Sequence, residues 1–301
     1  MAELPPLQPG RKWVEVDADH RLIYFGLFID FHRAEGHSEA SITAYLGDLR
    51  DFFKLCTKPL DEVEFEDIDA CTKAWQARGL TPKTISRRHA AVSSLFHCLQ
   101  RLKVVKGNPV DMASKPKIPK RLPKNIPNER ETEAMCAVPG LPGYVCRILY
   151  GTGARRAEMA SAKVEDYDAE AGTVRIIGKG NKEGYLLLTL KAKKALEAII
   201  IPGSEYLLCF QDGKKRGLPL GKYGIYEEVL KARAAAGVVK NVTPHRLRAA
   251  CATVMDRHGA DIRKIQLKLR HESPATTQRY IDVNLEQQKL AQAQYHPDDQ
   301  E

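Results

Sequence analysis

Residues 150–160 read YGTGARRAEMA, and how they are read decides the fold around them. The apolar run YVCRILY (144–150) leads into them, so strand, glycine loop and helix suggest themselves, and with them a dinucleotide site. That fingerprint needs a third small residue so that helix and strand can pack closely. Here the position holds Arg156, which is too large. A phosphate loop fails too, because no Gly-Lys-Ser/Thr follows. What remains is a glycine-hinged helix start carrying Arg155 and Arg156. Taken alone, such a pair is more often a solvated face than a site.

Working outward toward the C-terminus, GTVRIIGKGNKEGYLLLTL (172–190) predicts two short strands, 173–177 and 185–189, around a Gly-rich turn. Gly and Asn are what a hairpin turn requires. The same hairpin is also able to deliver Lys179 or Lys182 to an anion, lysine being a point charge on a long stem. VTPHRLRAACATVMDRHG (242–259) predicts a helix capped by Thr243 and opened by Pro244. Its buried stripe is Leu247, Cys251 and Val254. His245 and Arg248 share a face in the first turn, where free N–H groups and the helix dipole favour an anion. His258, beside Gly259, reads as a partner for the negative helix end. In LRHESPATTQRY (269–280), Ser273 and Pro274 start another helix, with Tyr280 about two turns on.

Toward the N-terminus, SKPKIPKRLPKNIPNER (114–130) holds four prolines and six basic residues against one acidic. No helix or strand core tolerates that proline density. A solvated spacer is the commoner meaning of such composition. Lys117, Lys120, Arg121 and Lys124 also suit a strap along a phosphate backbone. Residues 1–113 read as helices. SITAYLGDLRDFFKLC (41–56) carries the stripe Ile42, Tyr45, Leu46, Leu49, Phe52, Phe53 and Cys56. A second helix covers 66–78 and stops at Gly79. LTPKTISRRHAAVSSLFHCLQRLK (80–103) begins with Thr81 as cap and Pro82, and its stripe is Ile85, His89, Val92, Phe96 and Leu99. His89 reads as a hydrogen-bonded core histidine. Lys83, Arg87 and Arg88 lie off the stripe, placed to meet phosphates.

The fold class is therefore mainly α with a small antiparallel β-sheet. The 301 residues suffice for two domains, and 43% hydrophobic content argues against wholesale disorder. The net charge of +9 favours a polyanionic partner, nucleic acid or an anionic membrane surface. No apolar run approaches the roughly 18 residues of a membrane span. MAELPPLQPGRKW lacks an apolar signal core, so a cytoplasmic protein with nucleic acid as partner is expected. Seven scattered cysteines without a C-x-x-C pair argue against a zinc site and a disulfide framework.

These stretches supply arginines, a lysine, histidines and a tyrosine. The transition state of a phosphodiester displacement spreads negative charge over the equatorial oxygens, and positioned cations stabilise it. A guanidinium fork bonds two oxygens in one plane. A tyrosine hydroxyl needs a base or nearby cations before it attacks. The departing sugar oxygen needs a proton, which a lysine is able to supply. No metal and no cofactor is expected for this metal-free strand cleavage.

GTGARRAE, GKGNK, PHRLR and LRHESPATTQRY, in that order, resemble the tyrosine recombinases, or phage-type integrases, and the tail YIDVNLEQQKLAQAQYHPDD is similar to that of Xer-type members. The resemblance implies a helical core-binding domain (1–113), a basic linker (114–130) and a catalytic domain (131–301). It implies that Arg155 and Arg248 clamp the scissile phosphate and that Lys179 is the general acid for the 5′-oxygen. His245 would be a general acid/base, His271 would hydrogen-bond the phosphate, and Tyr280 would form a 3′-phosphotyrosyl intermediate. Joining would then need no ATP. Four protomers would exchange strands between two duplexes through a Holliday junction, each segment of about 284–295 docking on a neighbour. A palindromic-like double-stranded site, with or without a partner recombinase, completes the implied partners. The role would be chromosome or plasmid dimer resolution, or mobile-element integration and excision. The rivals are a type IB topoisomerase-like relaxing enzyme and a catalytically silent DNA-binding relative. Three positions depart from the family: Arg270 stands where glycine is usual, Ala249 where a histidine often follows the arginine, and Asp282 where many members have histidine.

Overall fold

A computed structural model describes residues 21–119, 124–177 and 183–270, with side chains from residue 25. Lys120, Arg121, Lys179, Lys182, His271, Ser273, Pro274, Tyr280, Asp282 and the segment 284–295 lie outside the described residues. The chain divides into two compact units, residues 1–120 and 121–301.

The first unit holds four α-helices among its described residues: α1 (Arg21–Ala34), α2 (Glu39–Leu55), α3 (Phe65–Ala77) and α4 (Pro82–Arg101). Local chemistry sets their starts. The Ser38 hydroxyl accepts from Ser41 N at 3.3 Å, and Thr81 accepts from Thr84 N at 3.3 Å, with Pro82 next. Gly79, at φ 75°, follows the end of α3. The α2 stripe buries Ile42, Leu46, Leu49 and Phe52 against Ile85, Val92, Phe96 and Leu99 of α4 and Trp75 of α3. Burying one such side chain stabilises by about 1.5–3 kcal/mol, and truncating a phenylalanine there to alanine costs about 3–5. His89 is the core histidine expected, its Nε2 lying 2.7 Å from the Thr72 hydroxyl.

The second unit runs α5 (Glu129–Cys136), α6 (Leu141–Thr152), α7 (Arg156–Ser161), β1 (Tyr167–Asp168), β2 (Thr173–Ile177), β3 (Glu183–Leu187), α8 (Leu190–Glu197), α9 (Gly221–Ala235), α10 (Pro244–Arg257) and α11 (Ile262–Leu269). The proline-rich stretch ends sooner than its composition suggests. Asn128 and Glu131 form a capping box (2.8 and 2.7 Å), so helix begins at Glu129, with Asn128 as its cap directly after Pro127. α6, the apolar run before YGTGARR, is a buried helix and not a strand. It packs against α5, α8, α9 and α10.

Its last turn shows why glycines stand there. A Cβ on Gly151 would lie 2.5 Å from the Thr189 hydroxyl and 2.7 Å from Ala192 Cβ, so glycine lets the start of α8 approach. Gly153 caps α6 in the left-handed region (φ 63°), and a Cβ on it would lie 2.5 Å from Leu269 Cδ2.

The sheet is antiparallel in the order β1-β2-β3, with Arg175 opposite Tyr185 and Thr173 opposite Leu187. β3 begins and ends two residues earlier than its apolar run predicts. Glu183 pairs with Ile177, while Thr189 leaves the sheet to cap α8 by accepting from Ala192 N at 3.3 Å. β1 was not anticipated, because two residues carry no readable period. Val174, Ile176 and Leu186 face the core. All seven cysteines are unpaired.

Candidate active site

Arg155 is the N-cap of α7. Its backbone N–H donates to Glu158 Oε2 (2.8 Å), its Nη1 to Glu158 Oε1 (2.9 Å), and its Nη2 to the carbonyl of Arg270 (3.3 Å). The side chain stays 45% exposed. Glu158, by contrast, is 4% exposed. It closes the cap as a residue three positions into the helix does in a capping box.

Arg248 sits in the first turn of α10 and is 2% exposed. Its Nη1 donates to the carbonyl of Gly153 and its Nη2 to that of Leu269. The two arginines are far apart in sequence, yet both donate to the final carbonyls of α11, those of Leu269 and Arg270. Those groups have no helical partner of their own, and they form the negative end of the helix dipole, where cations are favoured. His245 is exposed in the same first turn of α10.

Arg270 takes a backbone conformation that favours glycine. It caps α11 at φ 52°, ψ 49°, the left-handed conformation that glycine adopts without strain. Its guanidinium holds Glu158 Oε2 (2.6 Å) and the carbonyl of Tyr185 on β3 (3.4 Å). Lys268 Nζ donates to the Leu187 carbonyl at 2.6 Å. Tyr185 and Leu187 alternate on the edge strand, so two basic side chains of one helix end satisfy two edge carbonyls. Burial of Glu158 works to raise its pKa; the charge of Arg270 and the bonds from Arg155 outweigh it, holding the carboxyl below its ordinary value. Burial lowers the pKa of both Lys268 and Arg270. The Glu158 and Lys268 contacts were missed by sequence reasoning. Glu158 three residues after Arg155 was legible as a capping-box spacing; nothing local marks Lys268.

The remaining candidates lie in or next to the first unit. Lys83 is exposed at the start of α4, and Lys117 and Lys124 are exposed. Arg87 and Arg88 are engaged within the protein. Arg87 pairs with Asp48 and Arg88 with Asp51. Arg88 is 15% exposed and lies over the Trp75 ring, whose Nε1 donates to the same Asp51 at 2.8 Å. Falling off the apolar stripe placed Arg88 beside it, not in open solvent.

Residues 130–287 match the Phage integrase family, and residues 27–103 match the phage integrase N-terminal SAM-like domain. Tyrosine recombinase XerC of Bacillus licheniformis is 30% identical over 293 residues, which covers 91% of this chain and 96% of that one. Tyrosine recombinase XerD of Vibrio cholerae is 28% identical, covering 87% and 92%. In fold, the chain is similar to a lambda integrase (75–356) dimer bound to a COC′ core site, with a TM-score of 0.71 at 16% identity over 87% of this chain and 95% of that one. The chain belongs to the phage integrase family and is a tyrosine recombinase of the Xer type, an enzyme of site-specific DNA recombination.

Proposed function

We propose that this recombinase cuts and rejoins double-stranded DNA at a palindromic-like site through Tyr280. Its hydroxyl oxygen attacks the scissile phosphorus, a P–O(tyrosyl) bond forms, and the bond to the 5′-oxygen breaks. Lys179 gives that oxygen its proton. Attack by a 5′-hydroxyl of the other duplex reverses the step, so the number of phosphodiester-type bonds is conserved and ATP is not needed. Arg155 and Arg248 hold the non-bridging oxygens, His245 serves as acid/base, and His271 hydrogen-bonds the phosphate.

The observation that carries this reading is that Arg155 and Arg248 both donate to the carbonyls that end α11, those of Arg270 and Leu269, with His271 following Arg270 in the sequence. The backbone carbonyls fix the plane of each fork before any phosphate arrives, and donors fixed in advance need no reorganisation in the transition state. Near-complete burial of Arg248 strengthens its field further. Exposure leaves Arg155 available to a ligand.

Four protomers on two duplexes fit the family, one of whose solved members is a lambda integrase tetramer bound to a Holliday junction. Residues 1–113 act as the DNA-clamping half, the stretch from 114 to the start of α5 as a strap and about 284–295 as the segment exchanged between protomers. Likeness to Xer relatives over most of the chain supports dimer resolution as the role. No observation favours relaxation of supercoils or a silent DNA binder. The test is a nicked suicide substrate. Tyr280→Phe should bind it normally and trap no covalent adduct; an adduct with that variant would mean another tyrosine attacks.

A further inference from the structure

The C-terminal end of α1 carries two histidines and a glutamate around one tight turn. Gly36 takes the left-handed conformation (φ 74°), Gly36 N donates to Arg33 O (3.0 Å) and His37 N to His32 O (2.9 Å). This is a Schellman turn, and it folds His37 back over the helix end. The rings of His32 and His37 meet edge to face with centroids 4.6 Å apart. Glu35 Oε2 lies 3.8 Å from His32 Nδ1 and 3.7 Å from His37 Nε2. One potential ligand atom from each of the three lies within 4.8 Å of the others.

A second observation points to a ligand. His32 is 2% exposed, and its buried Nδ1 has no hydrogen-bond partner. Buried ring nitrogens are ordinarily satisfied. A proton on Nδ1 does not repair this, because 3.8 Å to Glu35 exceeds hydrogen-bond length. The other ring nitrogen, Nε2, is 2.7 Å from the Ser94 hydroxyl on α4. That is the arrangement of a metal-bound histidine, one nitrogen on the ion and the other donating to an outer oxygen that orients the ring. Arg101 Nη1 lies 3.5 Å from Glu35 Oε1, leaving Oε2 toward the histidines.

We propose that His32 Nδ1, Glu35 Oε2 and His37 Nε2 bind one divalent transition-metal ion of the zinc type, with a fourth position open to solvent. Two imidazoles and one carboxylate suit zinc, cobalt, nickel or copper better than magnesium or calcium. Metal–ligand bonds near 2.0–2.1 Å put tetrahedral ligand atoms roughly 3.3 Å apart. Against that spacing the 3.7 and 3.8 Å pairs need about half an ångström of closure and the His32–His37 pair, within 4.8 Å, up to about 1.5 Å; Glu35 and His37, 41% and 40% exposed, have room to turn. A cation here also lies at the negative end of the α1 dipole. The ion would tie the end of α1 to α4 through His32 and Ser94, bracing the turn into α2. Sequence reasoning expected no metal. The spacing His32-x-x-Glu35-x-His37 runs across a helix end, so neither a helical nor a zinc-finger template finds it.

The probe is Co²⁺ added to the full-length, chelator-stripped protein under reducing conditions, followed by calorimetric titration with Zn²⁺. One Co²⁺ should bind per chain, giving visible bands without the charge-transfer band of a thiolate. Zn²⁺ should displace it and raise the melting temperature. Ser94→Ala should weaken binding about tenfold or more, and His37→Ala and Glu35→Gln by at least as much. Both of the latter residues are exposed, so their variants should keep the wild-type circular dichroism, which avoids the folding risk of changing His32. Binding undiminished in His37→Ala, a thiolate band, or no binding below the millimolar range would each overturn the proposal.

Discussion

Replacing Arg270 with glycine relieves a left-handed backbone position, and that relief alone points to a gain. The structure predicts a loss. Glycine at φ 52° removes strain of about 1 kcal/mol, but it adds about 0.4–1 kcal/mol of unfolded-state entropy, so the backbone change nearly cancels. The side chain decides the sign. Arg270 holds Glu158 at 2.6 Å, with the two side chains only 20% and 4% exposed. A hydrogen bond to a charged partner in such a place is worth about 1.5–3 kcal/mol, and Glu158 keeps Arg155 as a remaining partner. The net expectation is about 1–2 kcal/mol of destabilisation in the second unit. For about 180 residues that is a fall of roughly 3–6 °C in melting temperature. The assay separates the two units by their chromophores. Both tryptophans, Trp13 and Trp75, belong to the first unit, so tryptophan fluorescence follows that unit while far-ultraviolet circular dichroism follows both. Arg270→Gly should lower the circular-dichroism transition and leave the fluorescence transition in place. An unchanged or raised second transition would show that backbone strain outweighs the ion pair, and the account of Arg270 would fail.

The folded pKa of Glu158 is held below its ordinary value, so its stabilising contribution is present above a pH of about 4.3 and is lost as pH falls through the folded pKa. Glu158→Gln should therefore flatten the acid limb of second-unit stability; parallel limbs for variant and wild type would refute the assignment. Gly153→Ala must place a Cβ 2.5 Å from Leu269 at φ 63° and shift the carbonyl that holds Arg248, so a loss of at least about 2 kcal/mol is expected in denaturant unfolding. Arg88→Ala should cost the first unit about 2 kcal/mol by tryptophan fluorescence, whereas Lys83→Ala should stay within about 0.5 kcal/mol and lower the salt slope of DNA binding by about one. Lys179→Ala should be rescued on a DNA whose 5′-bridging oxygen is replaced by sulfur, a leaving group that needs no proton. Rescue of Lys182→Ala instead would transfer the general-acid role to that residue.

Short-range chemistry was legible in the chain itself. Thr81 with Pro82 and the stripe from Ile42 to Phe52 place helices because caps and apolar faces act between residues three or four apart. Arg156 in the third small position excluded the nucleotide fold for the same local reason, a side-chain volume. Helix-start position marked His245 and Arg248 as a face for an anion, whereas Arg155 read alone as a solvated residue and gained its role from the family resemblance. What tertiary structure decided is which groups meet. Arg88 lies off its stripe, yet it pairs with Asp51 and covers Trp75, because α2 and α3 border it and no period in α4 records that. β3 slides by two residues because Thr189 is worth more as the cap of α8 than as the end of a strand. Lys268 and Arg270 read as surface charge until α11 packs beside the sheet edge, where open carbonyls and a buried carboxylate demand donors. A backbone carbonyl has the same chemistry at every position, so sequence alone does not mark the ones left open. Only the path of the chain leaves those of Gly153, Tyr185, Leu187, Leu269 and Arg270 open to a cation.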